Sequence, residues 1–188
     1  MARLLNANGI GTTVIEQDPD QIDLLRRFGH TVHYGDATRL DLLRAAGAAE
    51  ARLRIVALDG AEATLRVVDL AREHFPRLPL VVRVRNRTQA YEMLDRGVQI
   101  FDRETFAGAV NIGVKALTEL GFDPGRARHA AATFEQHDET TLRELHAIRG
   151  DQSELLSRVL SARDDLERLM QAEEAGSRGG DAEVAIAD

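Results

Sequence analysis

The sequence predicts an α/β fold, with a parallel sheet in the first part of the chain and helices alone in the second. Two patterns predict it. In residues 1–105, short β-branched strands alternate with helical segments, an order typical of parallel sheets. From residue 106 onward, one helical segment follows another. A chain of 188 residues with 44% hydrophobic side chains is long and apolar enough to bury such a core.

Local signals place the elements of the first part. Asp18, Pro19 and Gln21 supply an N-cap, a proline for the first helical position and a capping-box partner. Gly29 and Gly47 are placed to end helices, because glycine tolerates the left-handed backbone of a C-cap. We therefore expect strands at residues 12–16, 31–34, 54–58, 80–84 and 98–101, and helices at 19–28, 40–46, 62–75 and 88–94.

The second part is predicted to be a helical appendage over residues 106–171. We expect its helices at 106–120, 124–134 and about 140–171, the last with an apolar stripe interrupted by Gly150. That stripe could pack on the chain's own domain or on a second copy, and the pattern favours neither. Residues 172–188 are small, glycine-bearing and acidic in composition, which predicts a disordered tail.

Composition excludes several classes of protein. A formal charge of -7 has the wrong sign for binding nucleic acid by charge, so no nucleic acid partner is expected. The sequence has no cysteine, hence no disulfide, thiolate metal site or cysteine nucleophile. No apolar run reaches the roughly 20 residues that cross a bilayer, and no signal peptide is recognisable.

The start of the chain lacks a feature that doubly wound nucleotide-binding sheets have. Such sheets open with a strand and a glycine-rich turn that cradles pyrophosphate at a helix N-terminus. Residues 8–11 offer only the beginning of that spacing, and a strand follows them. We interpret residues 1–8 as the end of a first helix, capped by Gly9. The prediction is a sheet missing its first strand, from a reading frame that is truncated or starts late.

Several ordered strings identify a family resemblance that covers residues 3–136. They are E-x-DPD at 16–20, LLRRFG at 24–29, YGDATRLDLLRAAGA at 34–48, EHFPRLPLVVRVRNR at 73–87 and DRETFAGA at 102–109. Together they resemble the cytosolic TrkA-N (RCK) domain of Kef-type glutathione-regulated potassium efflux systems. The resemblance implies a Rossmann-like domain that forms a homodimer at the cytoplasmic face of a membrane K+/H+ antiporter, binds NAD(H) or AMP, and regulates ion flux.

The resemblance also implies a nucleotide site. The family's acidic residue at the end of its second strand falls on Glu16, its adenine-side turn includes Asp36, Ala37 and Thr38, and Asp59 ends a strand at the same edge. A carboxylate at such a strand end accepts ribose hydroxyls and repels a 2′-phosphate, which favours NAD or AMP over NADP. Each of these residues also has a purely structural interpretation. Glu16 could be a solvated acid at a strand end, the turn at 36–38 could be an ordinary capped turn before a helix, and Asp59 could be a helix cap.

A second implied site takes a glutathione-type effector at the dimer interface. The family's two effector-binding arginines match Arg3 and Arg103, and its sensing phenylalanine matches Phe28. Two guanidinium groups suit the two carboxylates of such a tripeptide, because each can make a bidentate contact. Where the family pattern brings an asparagine from the partner subunit, this chain has His137 and Asp138. From the residues alone, Arg103 could instead flank a helix and Phe28 could belong to the core.

Arg83 and Arg85 are expected on one face of a strand that otherwise looks buried, because side chains alternate along a strand. Two like charges there need acidic partners. These could be an anionic ligand or the chain's own carboxylates, and the sequence leaves both open.

No catalytic machinery is recognisable. The six histidines are scattered, so no metal site is expected, and the serines lack a G-x-S-x-G elbow. Taken with this absence, the resemblance implies non-enzymatic regulation of potassium efflux, which is the predicted function. The alternatives are an NAD-dependent oxidoreductase, which shares the nucleotide fold but would need a proton donor beside the nicotinamide, and a non-functional fragment of the antiporter.

Overall fold

The computed structural model describes the backbone of residues 1–180 and the side chains of residues 1–172. It confirms the predicted parallel α/β class with a helical second part. The elements are α1 (Ala2–Ala7), β1 (Thr13–Glu16), α2 (Pro19–Arg27), β2 (Thr31–Tyr34), α3 (Leu40–Ala45), β3 (Arg54–Val56), α4 (Ala61–His74), β4 (Leu80–Val84), α5 (Arg87–Asp95), β5 (Ile100–Arg103), α6 (Glu104–Glu119), α7 (Pro124–Ile148) and α8 (Gln152–Gly180).

The strands form two parallel groups. β1 pairs with β2, and β3, β4 and β5 form a second sheet in that order. In a doubly wound sheet, the first strand of the motif lies between these two groups. No such strand is present among residues 1–180, so the strands pair as two sheets where the sequence predicts one sheet without its first strand.

The three-stranded sheet holds the denser core. Along β4, Leu80, Val82 and Val84 are buried while the residues between them are half-buried, which is the alternation of a pleated strand. Val67 and Val68 of α4 are completely buried. Burial of these apolar side chains is the main term that stabilises this sheet.

The two-stranded part has a thinner core: Ile22 of α2, which packs on both strands, is buried, and so is Leu43 of the following α3. A two-stranded sheet is marginal by itself, so the packed helices stabilise it. α2 begins as predicted: the Asp18 carboxylate accepts a hydrogen bond from the Asp20 N–H at 2.9 Å, and Pro19 takes the first helical position.

The chain divides into two compact units, Met1–Arg103 and the helical part that begins at Glu104. In the second unit, the rings of Phe106 and Phe134 stack 5.7 Å apart between α6 and α7. α7 and α8 pack as a hairpin, in which the Arg158 Nε donates to Glu144 at 2.9 Å. Of the predicted apolar stripe, Leu142 and Leu145 are buried, whereas a further group is exposed: Leu156, Val159, Leu160 and Leu169.

The predicted break between the second and third helices of the appendage is wrong. α7 continues through residues 135–139, because EQHDE contains neither glycine nor proline. The break comes at Gly150, where the Asp151 carboxylate caps α8 by accepting from the N–H groups of Ser153 and Glu154 at 2.9 and 3.0 Å.

The sequence predicts a disordered tail from residue 172, whereas the structure describes α8 as continuing to Gly180. The physical reason is local: residues 171–175 read QAEEA, all strong helix formers. The remainder of the predicted tail, 181–188, lies outside the described residues.

The last strand is shifted from the predicted 98–101. Gly97 has a φ of 69°, and the Val98 N–H donates to the Met93 carbonyl at 2.9 Å, so both residues belong to the C-terminal cap of α5. β5 therefore begins at Ile100 and ends at Arg103.

Candidate functional site

Glu16 ends β1 at the carboxyl edge of the two-stranded sheet. Its Oε1 accepts hydrogen bonds from the N–H groups of Gln17 and Asp18, at 2.8 and 3.0 Å. These bonds hold the carboxylate in one orientation beside the start of α2. Ligands of open parallel sheets bind at this edge, so Glu16 lies where the sequence predicts a ribose contact.

Gly35 begins the turn that follows β2, directly beside the end of β1. Its N–H donates to the Glu16 carbonyl at 2.9 Å, which joins the turn to β1. Gly35 has a φ of 142°, and a Cβ at this position would lie 2.9 Å from Cδ2 of Leu42. The backbone path here therefore depends on glycine.

Asp36 and Thr38 close the same turn, with Ala37 between them. One oxygen of Asp36 accepts from the Thr38 N–H and the other from the Thr38 hydroxyl, both at 2.8 Å. The Thr38 N–H, followed by the hydroxyl, holds the pKa of Asp36 below its ordinary value, and Arg66 adds to this effect through its charge. The turn thus carries an exposed anionic group, and α4, which carries Arg66, lies within electrostatic range of it.

Asp59 follows β3 at the carboxyl edge of the other sheet. Its carboxylate is fully exposed and pairs with Nη2 of Arg83 at 2.7 Å, while the same nitrogen donates to the Ala57 carbonyl at 3.2 Å. Of the two partners that the sequence leaves open for Arg83, the structure shows one of the chain's own carboxylates.

The structure brings together two of the three predicted effector residues. The Arg3 guanidinium of α1 lies 4.8 Å from the ring centroid of Phe28, which caps the end of α2. The Phe28 side chain is 45% exposed, so it is not the core contact considered from the sequence. Arg103 ends β5 in the three-stranded sheet, is only 8% exposed and makes contacts within the chain.

Sequence reasoning missed one cluster beside Arg3. The ring of His30 is buried, and its Nδ1 contacts the Asn6 amide nitrogen at 3.2 Å and the Thr12 hydroxyl at 2.7 Å. The three residues come from α1, the segment before β1, and the turn after α2. The only signal in the sequence was a histidine directly after the glycine that ends a helix.

The described residues contain neither a cluster of metal-binding side chains nor a helix suited to cross a membrane. No group of three or more histidine or acidic side chains is arranged to hold a metal ion within the part of the chain that the structure describes. Over the same residues, no helix has both the length and the apolar character needed to cross a membrane.

Comparisons with known families and structures cover both units. Residues 1–101 match the TrkA-N domain family, and residues 108–184 match the family described as the potassium efflux system KefB C-terminal domain.

Two solved structures below 25% identity share the fold. The TrkA-N domain of inner membrane protein ybaL from Escherichia coli has 21% identity, a TM-score of 0.54, and coverage of 63% of this chain and 84% of that one. The NAD(P)-binding domain of an exopolyphosphatase-related protein from Archaeoglobus fulgidus has 18% identity, a TM-score of 0.55, and coverage of 62% and 87%.

A third solved structure is much more similar in sequence. The Shewanella denitrificans Kef C-terminal domain, solved in an AMP-bound form, has 45% identity and a TM-score of 0.72. The match covers 78% of this chain and 89% of that chain. A family match over more than half of the chain and this degree of identity agree with each other. The chain therefore belongs to the TrkA-N family and is a regulatory domain of the Kef-type potassium efflux systems.

Proposed function

We propose that the chain binds an adenine nucleotide, AMP or NAD(H), at the edge formed by Glu16 and the turn of residues 35–38. One observation carries the proposal: the Glu16 carboxylate is held at the end of β1 directly beside that turn. The similar Shewanella denitrificans domain, at 45% identity, supports it, since that protein was solved with AMP.

Glu16 is the proposed ribose ligand. The N–H groups of Gln17 and Asp18 engage Oε1, and Oε2 takes no hydrogen bond from the described residues. Oε2 can therefore accept from a ribose hydroxyl without disturbing the loop. Its charge repels a 2′-phosphate, so NAD binds in preference to NADP.

The turn of residues 35–38 is the proposed adenine contact. Both oxygens of Asp36 are engaged by Thr38, so this carboxylate shapes the turn, and the backbone at Ala37 is left to meet the base. Asp59 lies at the corresponding edge of the other sheet, where it pairs with Arg83. In our proposal, Asp59 leaves Arg83 when nucleotide binds and contacts the nucleotide or the water around the nucleotide.

Regulation in this proposal is binding without chemistry. The chain acts as a homodimer on the cytoplasmic face of a Kef-type membrane antiporter, and no bond is made or broken. A glutathione-type anion is the proposed effector at Arg3 and Phe28, with Arg103 as the second predicted guanidinium. Effector and nucleotide alter ion flux by binding one arrangement of the dimer more tightly than another.

Calorimetry with AMP, NAD+ and NADH tests the nucleotide site. Glu16→Gln keeps an Oε1 acceptor for the two loop N–H groups, but replaces Oε2 and its charge with an amide nitrogen that can only donate. We expect its AMP affinity to fall about tenfold or more, since a hydrogen bond to a charged group contributes roughly 1.5–3 kcal/mol. Glu119→Gln, an exposed acid of α6, is the matched control and should leave binding unchanged.

Comparing the affinities for NAD and NADP shows whether Glu16 contacts the ribose or only supports the loop. NADP should bind much more weakly than NAD to the wild-type chain, and Glu16→Gln should narrow that gap. Equal loss of NAD and NADP affinity in the variant would contradict the assignment of Glu16 to the ribose, and absence of AMP binding by the folded wild-type chain would refute the nucleotide proposal itself.

A further inference from the structure

His30 lies where two helix ends meet. α2 ends at Arg27, Phe28 is its C-cap, and Gly29 follows with a φ of 80°. The N–H groups of Gly29 and His30 then donate to the carbonyls of Arg26 and Leu25, at 2.9 and 3.2 Å. This is the double hydrogen-bond pattern of a Schellman cap, which turns the side chain of the second residue past the helix inward. The local sequence therefore buries His30, which is 5% exposed.

The buried ring joins three parts of the chain through one atom. Nδ1 of His30 lies 3.2 Å from the amide nitrogen of Asn6 and 2.7 Å from the hydroxyl of Thr12. An amide nitrogen only donates, so Nδ1 accepts and the ring proton is on Nε2. The Thr12 hydroxyl then donates to the same nitrogen, so the two donors share its single lone pair.

The other ring nitrogen, Nε2, indicates that packing alone does not account for a histidine at this position. Nε2 is buried and has no hydrogen-bond partner among the described residues. A buried donor without a partner is unfavourable, and an apolar side chain would fill the same space without that cost. Packing therefore does not explain a histidine here, whereas the acceptor that Nδ1 presents to Asn6 does.

α1 depends on this contact for its position. The helix has six residues and none is buried, although Ala2 and Leu5 are half-buried, so apolar packing fixes it only in part. Two side-chain contacts join it to the residues that follow α2: Asn6 against His30, and the Arg3 guanidinium over the ring of Phe28. Asn6 lies one turn along the same face from Arg3, since residues three apart on a helix are neighbours.

We propose that His30 is a positioning residue for the effector site: by accepting from Asn6 it fixes α1 and thereby holds Arg3 over Phe28. The relation to an anionic effector rests on the function proposed above, but the positioning of Arg3 does not. His30 touches no ligand in this scheme. It acts by removing the freedom of the guanidinium before an anion arrives, which lowers the entropic cost of binding.

Asn6→Ala tests the contact without weakening the helix, because alanine is the better helix former. Proton NMR of the purified chain should show the Arg3 side-chain resonances shifted upfield by the Phe28 ring, and Asn6→Ala should abolish that shift. Backbone hydrogen exchange in α1 should become about fivefold faster, the factor for one ordinary hydrogen bond. Asn8→Ala is the matched control: among the described residues the Asn8 amide donates to the Leu4 carbonyl and to no other group, so this variant should keep the ring shift.

Two variants of His30 separate the acceptor from the packing. His30→Leu fills the buried space without an acceptor, so it should stay folded and lose the Arg3 ring shift. His30→Asn places an amide oxygen near the former Nδ1 and should restore it. Retention of the shift in both Asn6→Ala and His30→Leu would overturn the proposal, and so would its failure to return in a folded His30→Asn.

Glutathione binding, measured by calorimetry with AMP present, tests whether the position of Arg3 affects effector affinity. We expect Asn6→Ala and His30→Leu to weaken glutathione at least threefold while leaving AMP affinity unchanged. If the wild-type chain binds no glutathione, the proposed effector fails, and the ring shift and exchange still decide the role of His30. If glutathione binds equally to the wild type and to both variants, His30 is not a positioning residue for the effector.

Discussion

Gly35→Ala should destabilise the chain through two separable effects. The backbone at Gly35 has a φ of 142°, beyond the range that L residues adopt at modest cost. Conformations of this kind cost about 1–3 kcal/mol for a residue with a side chain. A Cβ would also lie 2.9 Å from Cδ2 of Leu42, but the end of a leucine side chain can move. We therefore expect a loss of about 1–3 kcal/mol, most of it from the backbone.

Two matched glycines isolate the backbone effect. Gly29 has a φ of 80°, and a Cβ there would have no neighbour within 4 Å, so Gly29→Ala carries backbone strain alone, about 1 kcal/mol. Gly11 lacks a positive φ and also has open space, so Gly11→Ala should change stability by less than about 0.5 kcal/mol.

Urea unfolding followed by circular dichroism measures all three variants, and thermal unfolding should show shifts of about 2–4 °C per kcal/mol for a chain of this size. The expected order of destabilisation is Gly35→Ala, then Gly29→Ala, then Gly11→Ala. If Gly35→Ala is as stable as Gly11→Ala, the strained turn beside Glu16 does not exist in solution.

Three further predictions follow from the fold and the site. Thr38→Val removes the hydroxyl but keeps the backbone N–H, so in a carboxyl NMR titration the pKa of Asp36 should return only part of the way to its ordinary value. Because this pKa is lowered in the folded chain, Asp36 stabilises the fold above its unfolded pKa, and that contribution is lost as the pH falls through its folded pKa. Val82→Ala should cost about 2–3 kcal/mol in urea unfolding, and the half-buried Val81→Ala clearly less. Arg158→Ala, which frees two carboxylates in the α7–α8 hairpin, should lower the unfolding temperature of the helical part at low salt and less at 1 M salt.

Much of the first unit was predictable because its signals are local. Asp18 and Pro19 specify the start of α2 through hydrogen bonds and dihedral angles of neighbouring residues, and Gly29 specifies its end. The location of Glu16 at a strand end follows from the same short-range reasoning. Its role as a nucleotide ligand stays a prediction, as do the roles of the other proposed site residues.

The helical part was less predictable because its sequence contains fewer residues that mark where a helix starts or stops. Charged residues such as those at 135–139 suit either a helix or a connection, so only the continuous backbone of α7 decides between them. The last helix runs past residue 172 for a similar reason, since QAEEA supports a helix although glycines follow.

The amino-acid sequence by itself determined the fold class, the limits of most strands and the family to which the chain belongs. These depend on patterns within a few residues and on ordered motifs. Tertiary structure alone decided that Arg83 pairs with Asp59, that Arg3 lies over Phe28, and that His30 holds Asn6. Each of these contacts joins residues about 24 or 25 positions apart. Such pairs form through space, when helices and strands pack, so no local pattern records them.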